Sequence, residues 1–147
     1  MNNEVLPFQL WTQLGVAAAF VLMMVIVHGL GLLGISRVLR LDAERLEKHR
    51  MDFAALLMVG AIGLLLFLLH FLEIVIFALF YLALEPALTS FEDTLYYSAS
   101  AYSTLGTTDA YIPKAWRLIG AFEALIGFVL IGWSTAFVAR TMSKLQA

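Results

Sequence analysis

The chain has 147 residues, 62% of them hydrophobic and only 14% charged, with a formal net charge of −2 and a mean hydropathy of +0.90. A soluble domain of this size carries about 25% charged and 45–50% apolar residues, so the composition describes one small integral membrane domain with no room for a second folded unit. The charge balance offers no basic surface for nucleic acid, and the lack of cysteine excludes disulfides and thiolate metal ligands.

The first apolar run covers residues 10–35 and contains no Asp, Glu, Lys or Arg. As a helix it reaches about 39 Å, ample for a hydrocarbon core of about 30 Å. No Lys or Arg precedes Arg37, so the positive region of a secretory signal is missing, and the run is expected to stay as a membrane helix. His28, alone in this run, reads as a satisfied interhelical histidine. The linker 36–52 follows, with Arg37, Arg40, Arg45, Lys48 and Arg50, five of the nine basic residues. Its Glu44 and Lys48 stand at i,i+4 in the favourable order, as in a solvated helical connector. Arg37 and Arg40 imitate the spacing of a voltage-sensing helix. A sensor needs arginines spread through the span, because each charge moved yields about 2.3 kcal/mol per 100 mV. These two sit at its edge and read as anchors.

The second run, 53–84, is interrupted only by His70 and Glu73, which share one helix face at i,i+3. Intramembrane ionisable groups are functional suspects. Three readings stay open for this pair: hydrogen-bonded support for a neighbouring helix or subunit, proton sensing, and a metal site, since imidazole and carboxylate both ligate zinc.

Residues 85–115 begin "EPALTSFEDTLYYSAS". Pro86 breaks the second helix. Thr89 or Ser90 can cap a new one, with Glu92 and Asp93 in its first turn, where negative charge suits the macrodipole. A helix over 91–103 spans about 20 Å, half a bilayer. The polar stretch "STLGTTDA" comes next, and the chain must return to the same side to begin the third run, 116–138, whose one charge is Glu123. A half-length helix followed by extended chain is a re-entrant element, tolerated at membrane depth only when buried in protein or lining a wet cavity. Glu123 lies about 10 Å into the third run and is expected to brace this element through a hydroxyl such as Ser100, or through Tyr102, the alternative being a pore-facing cation site. Gly120, Gly127 and Gly132 punctuate that helix and suit close packing. Tyr81, Tyr111 and Trp116 read as interface aromatics. Arg140 and Lys144 follow the third run, whereas 85–115 holds only Lys114. This asymmetry places 36–52 and the carboxyl tail in the cytoplasm, with the amino terminus outside.

The ordered set of helix, half-helix, polar hexad and helix resembles the pore domain of the potassium-channel superfamily, over about residues 53–140. The superfamily's filter is commonly TVGYGD or TLGYGD; here the matching residues are Thr104, Leu105, Gly106, Thr107, Thr108 and Asp109. The resemblance implies a homotetramer in a lipid bilayer around one pore. Carbonyls of the hexad would replace the water shell of a monovalent cation, potassium first. It also implies that Tyr96, Tyr97, Ser100 and Glu123 support the filter, and that Gly127 or Gly132 is a gating hinge. Thr107 and Thr108 stand where the superfamily has tyrosine and glycine. A β-branched residue in the left-handed region costs roughly 1–2 kcal/mol, so an altered outer filter with reduced selectivity is expected.

The expected fold is therefore an all-α membrane protein with three transmembrane helices and a re-entrant pore loop. Its parts are a peripheral helix 1–35, a cytoplasmic linker 36–52, a pore domain 53–140 and a cytoplasmic tail 141–147, in a plasma or inner cell membrane. No cofactor and no enzyme motif is evident. Two competing functions remain: a channel-like structural or sensory protein that does not conduct, and a proton- or metal-coupled transporter built on His70, Glu73 and Glu123.

Overall fold

The computed structural model describes residues 7–39, 53–84, 90–106 and 116–146. Four helices occupy them: α1 (Pro7–Val38), α2 (Phe53–Leu84), α3 (Phe91–Tyr102) and α4 (Arg117–Gln146). Arg40, the Glu44/Lys48 pair, Pro86, Thr89, Thr107, Thr108, Asp109 and Tyr111 lie outside the described residues.

Three of the helices are long and apolar enough to cross a membrane. At 32, 32 and 30 residues they reach about 45–48 Å, longer than the hydrocarbon core. Each is apolar around most of its circumference, the pattern of a helix whose solvent is lipid. Exposed leucines and phenylalanines such as Leu30, Leu64, Phe67 and Phe128 cover the outside. The buried stripe of α4 runs through Ile119, Glu123, Ile126, Leu130, Ser134 and Thr141, steps of three, four and seven that keep one helix face turned inward.

α3 is the short element. Ser90 caps it: its Oγ accepts the Asp93 backbone N–H at 3.1 Å, and Glu92 and Asp93 occupy the first turn. The helix packs between α2 and α4 and buries Thr94, Tyr97, Ser98, Ser100, Ala101 and Tyr102. α1 packs against α4 and α2.

Among the described residues, two apolar clusters join the helices. One contains Ala17 and Met24 of α1, Phe77 and Tyr81 of α2, Tyr97 and Ala101 of α3, and Ile119, Ile126 and Leu130 of α4. The other contains Leu32 and Ile35 of α1 with Ile62, Leu66 and Leu69 of α2, and Phe137 and Val138 of α4 pack on it. Between them, in sequence position on every long helix, falls a polar layer: His28, His70, Glu73 and Ser134.

Candidate functional site

The carboxyl end of α3 is held at mid-height in the bundle. Tyr102, its last residue, donates its hydroxyl to Glu73 Oε2, and the Tyr102 hydroxyl oxygen lies 2.8 Å from His70 Nδ1. His70 and Glu73 stand about 21 and 16 Å from the carboxyl end of α2. On α4, a Cβ added to Gly127 would strike the carbonyl oxygen of Tyr102, and Gly127 lies about 15 Å from the start of that helix. Gly120, two turns earlier on the same face, makes room for the Tyr97 hydroxyl. α3 therefore enters beside the end of α2 and stops halfway down, the re-entrant geometry expected from its length.

After Tyr102 the helix closes with two backbone bonds, Ser103 N–H to Ala99 O at 3.1 Å and Thr104 N–H to Ala101 O at 2.9 Å. Thr104 then takes φ 60 and Gly106 φ 87. Glycine adopts this region freely. A β-branched threonine does so at a cost of roughly 1–2 kcal/mol, strain of the kind that marks functional backbone. Thr107 and Thr108, where that cost argues for an altered filter conformation, lie outside the described residues; among the described residues Thr104 is the non-glycine with positive φ. Thr104, Leu105 and Gly106 are exposed, Leu105 at 83%.

Two polar clusters hold α3 from behind. The shallower one centres on Glu123. Its Oε2 accepts the Tyr81 hydroxyl at 2.5 Å and its Oε1 accepts the Ser98 hydroxyl at 2.5 Å; Ser98 Oγ is also 2.9 Å from the Ile74 carbonyl oxygen. Glu123 thus braces α3 as expected, but through Ser98 rather than Ser100 or Tyr102. Ser98 and Tyr102 share a face at i,i+4, so Ser98 meets Glu123 while Tyr102, one turn deeper, meets the next carboxylate. Ser100 is buried on another face. Tyr81 is corrected too: it is 2% exposed, not an interface residue, because its hydroxyl serves Glu123. Tyr97 packs edge-on against Tyr81, with ring centroids 5.0 Å apart. Tyr96 points off the chain at 72% exposure.

The deeper cluster joins all four helices. His28 Nδ1 of α1 lies 2.9 Å from Glu73 Oε1. His70 Nδ1 lies 3.2 Å from Glu73 Oε2. The opposite nitrogens of both rings reach Ser134 Oγ of α4, at 3.0 Å from His70 Nε2 and 3.3 Å from His28 Nε2. His28, Glu73 and Ser134 are buried, and the His70 side chain is 17% exposed. His28, His70 and Glu73 each bring one metal-ligating atom within 4.8 Å of the others.

The sequence marks His70, Glu73 and Glu123 but not Ser98, Tyr81 or Ser134 as their partners, nor His28 as part of the same cluster. The signal for His28 was a lone imidazole in an otherwise apolar span. Nothing in one sequence joins it to a carboxylate 45 residues away.

A membrane bundle in which a half-length helix delivers an exposed, glycine-bearing turn to mid-depth is the frame of an ion pore. The family profile described as "Ion channel" matches residues 65–144, more than half the chain. The chain belongs to the ion channel family. The match bears out the likeness to potassium-channel-superfamily pore domains. It takes in the second half of α2, all of α3, the exposed turn and nearly all of α4, and leaves α1 outside. No curated protein and no solved structure matches the chain.

Proposed function

We propose that four copies of this ion channel chain surround one pathway for monovalent cations, potassium above all, with weaker selection than the superfamily's filter gives. The observation that carries this reading is the arrest of α3 at mid-depth, with Thr104, Leu105 and Gly106 exposed beyond it. One copy presents a single strand, which cannot surround an ion; several copies can replace a cation's water shell with backbone carbonyls. The negative end of each α3 dipole would face the cavity below. Asp109 adds negative charge at the outer mouth. Thr107 and Thr108, in place of tyrosine and glycine, favour a wider and wetter outer filter.

In this assembly the exposed Tyr96 faces a neighbouring subunit, and residues 122–140 of α4 line the cavity. Gly127 is occupied as the seat of Tyr102. Gly132, where an added Cβ would meet nothing within 4 Å, is the better hinge. α1 carries one basic residue in its last turn, Arg37, and does not serve as an intrinsic voltage sensor. The lysine and arginine asymmetry places the carboxyl end in the cytoplasm.

The test is a bi-ionic reversal potential for potassium against sodium, measured on purified protein in planar bilayers, with a subunit count by native mass spectrometry. A tetramer whose reversal lies between the two cation equilibrium potentials, displaced toward potassium, is expected. A particle of one subunit would remove the reading. A tetramer with no cation current at any voltage would favour a channel-like structural or sensory protein, which the altered filter also suits.

A further inference from the structure

We propose that His28, His70, Glu73 and Tyr102 form a binding site for one divalent transition-metal ion of the zinc class at the centre of the bundle. Both imidazoles turn the same nitrogen, Nδ1, toward the two oxygens of one carboxylate, at 2.9 and 3.2 Å. The Tyr102 hydroxyl oxygen closes the group, 2.8 Å from His70 Nδ1. A tetrahedral ion with bonds of about 2.0–2.1 Å holds its ligand atoms about 3.3–3.4 Å apart. The ligand atoms of His28, His70 and Glu73 all lie within 4.8 Å of one another, so side-chain shifts of up to about an ångström, the Tyr102 hydroxyl moving off the carboxylate, bring the four atoms to that spacing.

The far side of the rings gives the second, independent argument. Both Nε2 atoms face one acceptor, Ser134 Oγ. When both Nδ1 lone pairs bind a metal, each neutral ring carries its proton on Nε2. One serine oxygen has two lone pairs and accepts both. This is the outer hydrogen bond that fixes the tautomer and orientation of metal-bound histidines. Without an ion, Ser134 has a single proton to offer two ring nitrogens.

The donor set selects the ion. Two imidazoles, a carboxylate and a phenol oxygen suit zinc, iron, nickel or copper rather than magnesium or calcium, which prefer six or more oxygens. His70 is the partly exposed member of the set. The ligands come from α1, α2 and α3 and the outer serine from α4, so a bound ion pins α1, which lies outside the ion channel match, to the end of the helix that positions the exposed turn.

The experiment uses the full chain in detergent, stripped with a chelator and titrated with zinc chloride by calorimetry, followed by zinc X-ray absorption. One zinc per chain is expected, with two imidazole nitrogens in the first shell and no competition from excess magnesium. Ser134→Ala should weaken binding about 10–100-fold, as loss of an outer hydrogen bond does, and His28→Gln should weaken it further. Absence of saturable zinc binding by the wild type, a first shell without imidazole, or wild-type affinity in both variants would each overturn the proposal. If His28→Gln does not fold, the serine variant and the wild-type spectrum still decide. The binding measurement involves no ion flux, so its failure and the failure of the channel reading are separate results.

Discussion

Single atoms decide how far α3 can enter. Gly127 is the clearest case, because the atom that an added Cβ would strike is backbone, the carbonyl of Tyr102, and backbone cannot rotate away. Gly127→Ala is expected to cost about 1–3 kcal/mol as an overpacked contact, lowering the thermal midpoint in detergent and reducing cation flux. Gly132→Ala should leave the midpoint unchanged, since its Cβ meets nothing within 4 Å; a change in flux alone would then report on hinge motion. Glu123 makes a second residue-level test. It is fully buried and accepts from Tyr81 and Ser98. Tyr81→Phe and Ser98→Ala each withdraw one donor from a buried acceptor, at about 1–3 kcal/mol. The two share one carboxylate, so the double variant should depart from the sum of the singles; thermal unfolding of all three would reveal it.

At the level of elements, the apolar runs were legible and their partners were not. α2 is helical through all the residues that its hydrophobicity marks, 53–84. α1 and α4 run past their apolar stretches, to Val38 and Gln146. Hydropathy ends where Arg37 and Arg140 begin, whereas backbone hydrogen bonding continues through charged residues that reach water. The half-length of α3 was readable from its capping serine, its acidic first turn and the glycine beyond it. Which hydroxyl meets which carboxylate was not, because that depends on the rotation of α3 against α2 and α4, and a rotation of one residue moves a side chain by about 100° around the helix. Capping makes α3 testable by itself. Ser90→Ala should cost about 1 kcal/mol, and amide hydrogen exchange should quicken in the first turn of α3 while the core of α2 stays protected.

Across the whole molecule, α1 is tied to the bundle through both apolar clusters and the polar layer between them. Expected as a peripheral span, it contributes Ala17 and Met24 to one apolar cluster and Leu32 and Ile35 to the other. Between them it sends His28 to Glu73. Its removal would expose both clusters at once and leave Glu73 without one of its imidazoles. Lipid or detergent can cover the apolar surface at little cost, because helix association in a bilayer has no hydrophobic driving force. Glu73 Oε1 loses its His28 partner while Oε2 keeps His70 and Tyr102; Oε1 has no such substitute, and an unsatisfied polar group in hydrocarbon costs several kcal/mol. The polar layer, more than the apolar contacts, should therefore make α1 indispensable. A chain beginning at Met51 is expected to lose its cooperative thermal transition and to run as a polydisperse species on size exclusion. The same truncation carrying Glu73→Gln, which removes the stranded charge, should recover part of both. Equal, undiminished stability of full-length and truncated chains would show that α1 is an attachment and that the histidine–glutamate contact contributes nothing to the fold.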